Sequence, residues 1–493
     1  MSEKFINALK KEDNYTFTTN GATALKSTYS SLVDLFGSIG AMRIRPETDI
    51  ETAFSKAFAE DNLLATKMAF YARNIRGGLG ERRAFRITLN FLARLYPEIV
   101  KKNIENIHHF GRFDDLYVLI GTPVEAEMWN FIKKQWKADL DNYFKGQPIS
   151  LLAKWLKSPN TSSVESKKLG KLTAKKIGCF EKDYRQLLSG MRKHIDIVER
   201  KMAANEWTDI NYEGVPSKAM NIYRNAFKKH DEEGFDNYIN SVQSGEKKIN
   251  ASTLFPYDIL EKMCRYQFNL RPDIYDKVLE EQWKALPNYI EGENNVLIMA
   301  DTSGSMSGRP MATSVGLAIY FAERNHGVFK DVFMTFSSSP SFVQLKGNTV
   351  YEKIKCVPSI VQNTNLQAAF ELILRTAVQN KLNAEDMPKS LVVISDMQFD
   401  QAQGGYGWNS RWTFYEAMRQ MYIDAGYEIP NIIFWNVNAT KDTFQVTSDY
   451  KGVQLASGQS PAVFKSILQN IGKTPYDAMV DTLNNPMYDC VVI

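Results

Sequence analysis

The sequence predicts two kinds of structure in one chain, an all-α region over residues 1–289 and a doubly wound α/β domain over residues 290–493. The length of 493 residues exceeds what a single hydrophobic core usually holds. Before residue 290 the apolar residues recur at helical spacing, whereas after it short apolar runs alternate with helical segments. An apolar content of 44% supplies enough side chains for packed cores, so we expect a globular protein.

The first region has apolar residues three and four positions apart, with Gly or Pro at the breaks, as amphipathic helices do. Strand-like alternation is nearly absent from it. The clearest helical segments are residues 51–74, 81–107, 124–144 and 181–207. So many amphipathic helices indicate helix pairs stacked as a solenoid or ring, although no fixed sequence period is visible.

The second region alternates between strands and helices. The predicted strands are residues 294–300, 331–337, 341–345, 390–396, 431–439 and, more weakly, 452–458. The predicted helices are residues 311–325, 365–379, 412–426 and 461–471. This alternation is typical of a mainly parallel sheet with helices on both faces. Ligands of such sheets bind at the carboxyl ends of the strands, near the switch in strand order.

Three loops place oxygen-bearing side chains at that edge of the predicted sheet. Asp301, Ser303 and Ser305 follow the first strand, Thr364 precedes a helix, and Asp396 follows a later strand. All five side chains are hard oxygen donors, which small divalent cations prefer. The sequence therefore predicts a site for Mg²⁺, or for another divalent cation such as Mn²⁺ or Ca²⁺. The alternative is that Asp301 and the hydroxyls only cap the following helix.

The stretch "DTSGS" at residues 301–305, with Thr364 and Asp396, resembles the metal-ion-dependent adhesion site of von Willebrand factor A domains. That family has D-x-S-x-S after its first strand, a Thr on a second loop and an Asp after a later strand. The resemblance implies that Ser303, Ser305 and Thr364 bind the metal directly. It also implies that Asp301 and Asp396 act mainly through water, and that an acidic residue of a partner completes the coordination shell.

Segments such as "ARNIRGGLGERRAFR", "IHHFGRFDDLYVLIG" and "VPSKAMNIYRNAFKKHD" extend a resemblance over nearly the whole chain. Together with the A domain they resemble an uncharacterised family in which a TROVE-like helical region precedes a von Willebrand A domain. The better-known relative is the Ro autoantigen, a ring of helical repeats, closed by an A domain, that binds small noncoding and misfolded RNAs. The resemblance thus implies HEAT-like helical repeats, a possible ring and RNA binding.

The charge distribution provides a physical argument for an anionic partner. Residues 1–289 carry 45 basic and 37 acidic side chains, a net +8, and residues 290–493 carry 15 and 19, a net −4. Residues 151–230 contain 17 basic and 8 acidic side chains. The RNA-binding candidates are Arg76, Arg82, Lys154, Lys157, Lys167, Lys168, Lys171, Arg185, Arg192, Lys193 and His194, with Lys175, Lys176 and Arg83 as further basic residues.

Two aromatic residues, Trp155 and Tyr184, lie within this basic block and are candidates for stacking on unpaired bases. The alternative is that they anchor their helices in a core while the lysines face water. The glycine-rich "RGGLGERR" lacks the ending and the preceding strand of a phosphate-binding loop. We interpret it as a turn between helices, with Gly77 and Gly78 as C-caps.

The sequence favours a protein without catalytic activity. Its histidines number five, and His108 and His109 are adjacent, so on a helix they point apart. Asp114 and Asp115 are interpreted as an N-cap and a first-turn acid. No nucleophile–base pair is recognisable. The competing hypothesis is a protein-binding scaffold that uses the metal site without RNA.

The remaining features concern the compartment and the tail. Four widely spaced cysteines favour a reducing compartment, and no apolar run approaches membrane-spanning length, so we expect a cytoplasmic protein. The final "CVVI" matches a prenylation pattern, but "MYDCVVI" is also typical of a last strand, which we prefer. The oligomeric state is left open.

Overall fold

The computed structural model describes residues 3–264, 270–292, 294–336, 339–358, 364–401 and 412–493. Within them the chain is mostly helical, with one sheet of six strands and one of two. In these coarse terms the predicted combination of all-α and α/β structure is confirmed. None of the described helices is long and apolar enough to cross a membrane.

The chain divides into two compact units, each built from separate stretches of sequence. Unit 1 comprises residues 1–84 and 251–488, and unit 2 comprises residues 85–250 and 489–493. The predicted domain boundary at 289/290 falls within unit 1. Unit 1 therefore combines the first 84 residues with the strands and helices of the predicted α/β region.

The first part of unit 1 contains a hairpin that the sequence analysis did not predict. Its elements are α1 Glu3–Asp13, β1 Tyr15–Phe17, β2 Thr23–Leu25, α2 Ser31–Phe36, α3 Glu47–Glu60 and α4 Asn62–Arg73. Strands β1 and β2 pair in the antiparallel sense. The predicted helix over 51–74 is interrupted at Asp61, which has an extended backbone and caps α4 by accepting a hydrogen bond from the Leu64 amide at 2.8 Å.

Unit 2 is helical throughout its described elements. They are α5 Arg82–Leu95, whose first residues belong to unit 1, α6 Pro97–Lys102, α7 Ile104–Phe110, α8 Glu125–Phe144, α9 Leu152–Trp155, α10 Val164–Ile177, α11 Glu181–His194, α12 Val198–Ala203, α13 Ser217–His230 and α14 Glu232–Gln243. The predicted segment 81–107 is divided among three helices, because Pro97 starts a new helix at its first position and a further break falls at Asn103. The predicted segment 181–207 is likewise divided, between α11 and α12.

The second part of unit 1 contains the six strands and the four helices predicted over residues 294–471, with small changes at their ends. Its elements are α15 Pro256–Met263, α16 Lys277–Lys284, β3 Val296–Asp301, α17 Arg309–Arg324, β4 Val332–Phe336, β5 Ser341–Gln344, α18 Val350–Lys355, α19 Leu366–Asn380, β6 Ser390–Ser395, α20 Phe414–Asp424, β7 Asn431–Asn436, β8 Val453–Ser457, α21 Val463–Gln469 and α22 Pro475–Leu483.

The six strands lie in the order β5-β4-β3-β6-β7-β8. All neighbours are parallel except β4 and β5, which are antiparallel. From β3 the chain passes to β4 on one side and later returns to β6 on the other, so the strand order switches between β3 and β6. Every residue of these two strands is buried, as their apolar composition requires.

The first 84 residues pack directly on the strand at the far edge of the sheet. The Ser457 hydroxyl at the end of β8 donates to the Phe36 carbonyl at 2.7 Å and accepts from the Gly40 amide at 3.1 Å. A Cβ on Gly40 would lie 2.7 Å from the backbone of Gly458, so only glycine permits this approach. The N-terminal segment is thus a structural part of the α/β unit.

The predicted final strand over 487–493 is wrong. The described chain forms a 3₁₀ turn at Pro486–Tyr488, and no strand follows it in the described residues up to 493. In unit 2 the side chain of Asn103 holds the tail, donating to the Val492 carbonyl at 2.5 Å and accepting from the Val492 amide at 3.1 Å. Lys102 donates to the Ile493 carbonyl at 2.7 Å and Asn106 to the Cys490 carbonyl at 2.9 Å, so side chains replace the backbone pairing that a strand would need.

Candidate functional site

Two carboxylates stand side by side where the strand order of the large sheet switches. Asp301 ends β3, and Asp396 follows the last residue of β6, which is the parallel neighbour of β3. Asp301 is 0% exposed and Asp396 is 2% exposed. Because both strands are anchored in the core, their carboxyl ends fix the two acidic side chains at one edge of the sheet.

The two carboxylate oxygens of Asp301 accept hydrogen bonds from different groups. Its Oδ1 accepts from the backbone amide of Ser303 at 2.9 Å, and its Oδ2 accepts from the hydroxyl of Ser395 at 2.5 Å. The helix α17 begins at Arg309, with Gly308 as N-cap and no side-chain cap. Asp301 is therefore not a helix cap, and the capping alternative does not explain its position.

The predicted hydroxyls lie in the same cluster. Ser303 and Ser305 have their Oγ atoms 3.2 Å apart, and the Ser305 side chain hydrogen-bonds to Asp396. The Gln398 amide donates to Asp396 Oδ1 at 3.1 Å. Asp301, Ser303, Ser305 and Asp396 thus belong to one hydrogen-bonded group, as expected from their positions at strand ends.

Thr364 is buried and joins this group through an intermediary. Its hydroxyl accepts from the Nδ2 of Asn20 at 3.4 Å, and the same nitrogen donates to the Gln398 carbonyl at 2.6 Å. The backbone of Thr364 is also tied to the loop after β6, because its carbonyl accepts from the Asp400 amide at 3.1 Å. Residue Asn20 thereby links two of the three predicted loops.

Sequence reasoning missed both Ser395 and Asn20. Ser395 had a local signal, because it is the polar last residue of an otherwise apolar strand and directly precedes Asp396. Asn20 had none, since it lies 344 positions from its partner Thr364. Its place in the site follows only from the packing of the β1–β2 hairpin.

The environment of the two carboxylates opposes their ionisation. Burial raises the pKa of Asp301 to about 7, assisted by the negative charge of Asp396 and opposed by the hydrogen bonds from Ser303 and Ser395. Burial likewise raises the pKa of Asp396. No basic side chain is recorded as a partner of either carboxylate within the described part of the chain.

The donor set fits a hard divalent cation. It consists of two carboxylates and several hydroxyls, and a cation beside them would supply the positive charge that the carboxylates lack. His and Cys are absent from it, which disfavours a softer metal. The described residues contain no group of three or more His, Cys, Asp or Glu side chains placed to hold a metal, so any metal here depends on hydroxyl oxygens as well.

In unit 2 the RNA-binding candidates fall into two classes. The exposed ones are Lys167, Lys168, Lys171, Lys175, Lys176, Arg185, Lys193 and His194, while Lys154, Lys157 and Arg192 are half-buried. Arg192 donates to the carbonyls of Ala153 at 2.9 Å and Leu156 at 2.7 Å, so its guanidinium supports the end of α9. Lys176 pairs with Glu125 at 3.0 Å.

A groove in unit 2 collects part of the basic block. It has a volume of about 780 Å³, and its walls include Lys154, Trp155, Arg185, Arg192 and Arg200. Arg185 is exposed on α11, and Trp155 is half-buried at the end of α9. The groove thus combines basic side chains with an aromatic ring, the combination that binds single-stranded nucleic acid.

The two aromatic candidates differ in role. Tyr184 is 0% exposed and donates its hydroxyl to the Lys157 carbonyl at 2.9 Å, so it is a core anchor, as the alternative interpretation predicted. Trp155 lies under the guanidinium of Arg112, whose central carbon is 4.4 Å from the ring centroid. One face of the Trp155 ring is therefore already covered by the Arg112 guanidinium.

Arg76 and Arg82 are exposed and belong to unit 1. The prediction that Gly77 and Gly78 are C-caps is wrong, because α4 ends at the C-cap Asn74. Asn74 accepts from the amides of Arg76 at 3.0 Å and Gly77 at 3.3 Å, and so closes the turn with its side chain. Position 78 requires glycine, since a Cβ there would lie 2.1 Å from the Tyr71 carbonyl oxygen.

Comparison with known proteins finds matches over most of the chain. A family model described as Domain of unknown function (DUF2828) matches residues 18–138 and 149–295, more than half of the chain. A second, described as Domain of unknown function (DUF7788), matches residues 295–485. The chain is 25% identical over 523 residues to Uncharacterized protein L728 of Acanthamoeba polyphaga mimivirus, an alignment that covers 96% of this chain and 89% of the relative.

Proposed function

The chain belongs to the family described as Domain of unknown function (DUF2828), and because that description specifies no activity, we propose a function from the geometry of its site. The protein is a non-enzymatic binding protein. It holds a divalent cation, Mg²⁺ by preference, at Asp301, Ser303, Ser305, Thr364 and Asp396. Through that cation it binds an acidic group of a partner.

One observation supports this proposal above all others. Asp301 and Asp396 are buried beside each other at the strand-order switch, and neither has a recorded basic partner among the described residues. Two buried carboxylates without a counter-charge are unfavourable, and a bound cation would remove that cost. The hydroxyls of Ser303 and Ser305 add neutral oxygen ligands beside them.

The exposed side of the cluster suggests what the cation is for. Ser305 is exposed, whereas Asp301 and Ser303 are buried, so the group reaches solvent at Ser305. Mg²⁺ usually keeps several waters and is held by one or two carboxylates. A carboxylate from a partner is the kind of group that replaces such a water.

The experiment is a calorimetric titration of the full chain with MgCl₂. We expect one Mg²⁺ to bind, and Asp301→Asn to abolish the binding because it removes one of the two charges. Asp34→Asn is the matched control, since Asp34 is a half-buried carboxylate of unit 1 whose pKa is also raised and which lies outside the site. Equal Mg²⁺ affinity in wild type and Asp301→Asn would refute the metal site.

The partner is tested separately. Proteins captured by the full chain in Mg²⁺ should be released by EDTA, and Asp301→Asn should capture none of them. Binding by this variant that needs no metal would show that the site has another role. This arm is informative only after the titration has shown that the cation binds.

A second candidate function, RNA binding by unit 2, is favoured by the groove lined by Lys154, Trp155 and Arg185. The resemblance to the TROVE-like family and to the Ro autoantigen adds an expectation of small noncoding or structured RNA. Basic side chains around a groove neutralise phosphates and release counterions, so the affinity would fall steeply with salt.

Filter binding to single-stranded and structured RNA over a range of salt concentrations tests this candidate. Arg185→Ala should weaken binding and reduce the slope of log affinity against log salt by about 1. Lys182→Ala, on the same helix but outside the groove, removes an equal charge and should have a smaller effect. Absence of salt-sensitive binding by the wild type would exclude the RNA function.

A further inference from the structure

A cavity of unit 1 lies between the turn after α4 and the helices α21 and α22. Its volume is about 310 Å³, at the lower end of the range for small-molecule pockets. Its wall includes Tyr71, Arg76, Lys465, Asn470, Lys473 and Asp481. The five residues of the proposed cation site lie outside this wall, so the cavity is a separate feature of the unit.

Tyr71 brings to the cavity a polar group that the protein does not satisfy. The residue is 3% exposed, and no partner of its hydroxyl is recorded in the described part of the chain. The hydroxyl oxygen is not fully enclosed, and the residue lines the cavity, so an acceptor there can reach it. Burial raises the pKa of this phenol, which therefore stays protonated and able to donate. A buried donor without an acceptor is unfavourable, and a ligand would supply the acceptor.

The ring of Tyr71 is held in one orientation. It stacks on Phe36, with the ring centroids 5.6 Å apart, and it meets the edge of Tyr488 at 6.1 Å. The hydroxyl is therefore positioned before any ligand arrives, and binding needs no further ordering of this side chain.

Two cations of the same wall have no recorded counter-charge. Arg76 and Lys465 are exposed, and among the described residues none is recorded as an ion-pair partner of either side chain. Lys473 forms an ion pair with Asp481, so the charges of these two residues cancel. The wall therefore keeps a net charge of +2, from Arg76 and Lys465.

The backbone of both cations is anchored. The Arg76 amide donates to the Asn74 side chain at 3.0 Å, and the Arg76 carbonyl accepts from the Tyr289 hydroxyl at 3.2 Å. Lys465 lies on α21 directly after Phe464, which is 0% exposed. Binding an anion would thus order the two flexible side chains and little else.

Other polar groups of the wall are engaged within the protein. The Thr482 hydroxyl donates to the Ala478 carbonyl at 2.7 Å and is also hydrogen-bonded to the Ser466 hydroxyl. The Asn470 amide donates to the Ser466 carbonyl at 2.8 Å. The groups left to bind a ligand are one buried hydroxyl donor and two cations, a combination that suits an anion with oxygen acceptors.

We propose that this cavity binds the phosphate group of a small phosphate monoester. Arg76 and Lys465 neutralise its charge, and the Tyr71 hydroxyl donates to one of its oxygens. A monoester near neutral pH is close to a dianion, which two cations match. A guanidinium can offer two parallel N–H groups to a phosphate, and a hydroxyl donates more strongly to a charged oxygen than to a neutral one. The proposal does not depend on the cation site or on RNA binding by unit 2.

A phosphorus NMR titration of methyl phosphate with the full chain tests the proposal. The buffer contains EDTA, so that divalent cations cannot carry the phosphate, and is held at about pH 8, where the monoester is a dianion. Methyl phosphate should bind. Dimethyl phosphate has one charge fewer and should bind about 10-fold more weakly. Equal affinity for dimethyl phosphate would overturn the assignment to a monoester and would identify a nucleic-acid backbone as the source of the phosphate.

Tyr71→Phe isolates the hydroxyl. It should weaken methyl phosphate binding about 10-fold, because it removes a hydrogen bond to a charged group. The melting temperature of the free protein should stay the same, since the hydroxyl has no recorded partner to lose. Tyr422→Phe is the matched control: Tyr422 is 0% exposed and donates to the Phe370 carbonyl at 3.2 Å, so its loss should lower the melting temperature and leave the affinity unchanged.

Arg76→Gln and Lys465→Gln test the two charges. Each should weaken methyl phosphate binding and reduce its salt dependence. Arg375→Gln removes an equal charge from an exposed position of α19 outside the cavity and should have little effect. Absence of methyl phosphate binding, or unchanged affinity in Tyr71→Phe, would overturn the proposal. Asp301→Asn should bind methyl phosphate like the wild type, which keeps this result distinct from the proposed metal function.

Discussion

At the scale of single residues, buried carboxylates acquire their properties from their surroundings. Asp301 and Asp34 are both acidic side chains of unit 1 whose pKa is raised by burial, but their settings differ. Both carboxylates accept hydrogen bonds, but Asp301 also lies beside a second buried carboxylate, Asp396. The first setting favours a cation, and the second is satisfied within the protein.

Asp34 leads to a prediction about pH. Its carboxylate accepts from the hydroxyl of Ser27 at 2.6 Å and from the amide and hydroxyl of Thr28, each at 2.7 Å. Burial nevertheless raises its pKa from 3.8 to about 6. The folded state thus holds this proton more tightly than the unfolded state, so its contribution to stability is full below pH 4 and is lost as the pH rises to 6.

The measurement is urea unfolding of wild type and Asp34→Asn between pH 4 and pH 7. Relative to the variant, the wild type should lose roughly 2–3 kcal/mol of unfolding free energy over that range. Because the variant keeps every other titrating group, the difference isolates Asp34. A difference that stays constant with pH would contradict the prediction.

At the scale of elements, the β1–β2 hairpin is what completes the candidate cation site. Its turn brings Asn20 to Thr364, and Thr19 donates its backbone amide to the Gln398 side chain at 2.7 Å. The bridge between Gly21 and Asp400 continues this contact. Two paired strands of three residues each are only marginally stable by themselves. Contacts with the loop after β6 therefore stabilise this hairpin.

Thr18 provides the test of this contact. Its buried hydroxyl donates to the Phe399 carbonyl at 2.6 Å and accepts from the Ala22 amide at 2.9 Å. Thr18→Val keeps the shape but leaves both backbone groups unpaired, so we expect unfolding free energy to fall by about 1–3 kcal/mol. Mg²⁺ affinity should fall as well, because the loop that bears Asp396 loses an anchor.

Thr19→Val is the control for Thr18→Val, because the Thr19 side chain is exposed and only its backbone makes the contact described above. Chemical unfolding and Mg²⁺ titration of the two variants give the comparison. Similar behaviour of the two would mean that the hairpin is not a support of the site.

At the scale of the whole molecule, the compact units do not follow the order of the chain. Unit 1 is made of residues 1–84 and 251–488, so unit 2 is largely an insertion within it. Aromatic contacts illustrate the joint core, since Tyr71 stacks on Phe36 at 5.6 Å and meets Tyr488 edge-on at 6.1 Å. The predicted α/β region depends on partners that lie far upstream.

This division predicts the behaviour of fragments. Residues 290–493 expressed alone should be insoluble or unfold at low denaturant, because the surface that packs on residues 1–84 would be exposed. Joining residues 1–84 to 251–488 through about ten Gly and Ser residues should restore a cooperative transition. A linker of this length can span the gap because Gly80 lies close to Phe255: a Cβ on Gly80 would be only 2.9 Å from the Phe255 ring.

The fragments are compared by circular dichroism during urea unfolding. Cooperative unfolding of residues 290–493 alone, at the same denaturant concentration as the joined fragment, would show that the upstream segment adds nothing to stability. The predicted boundary at 289/290 would then describe an independent folding unit.

Local structure and the chemistry at the ends of the strands could be predicted from the residues alone. Apolar runs predicted β3 and β6, and the position of Asp301 and Asp396 after them predicted a shared edge, because parallel strands bring their carboxyl ends together. The errors of this prediction were the helices predicted as continuous over 51–74, 81–107 and 181–207, the C-caps at Gly77 and Gly78, and the final strand. At Asp61, Asn74, Pro97 and Asn103 a side chain ends or replaces the regular backbone pattern, and α11 ends just before Asp196, whose φ is 51°.

Which distant residues meet depends on tertiary packing. Asn20 reaches Thr364, and Phe444 pairs with Leu25, and both contacts join residues more than 300 positions apart. Periodicity reports only on neighbours within a turn or a strand, so it holds no information about such pairs. The same limit applies to unit 1, whose two parts are separated in the chain but share one core.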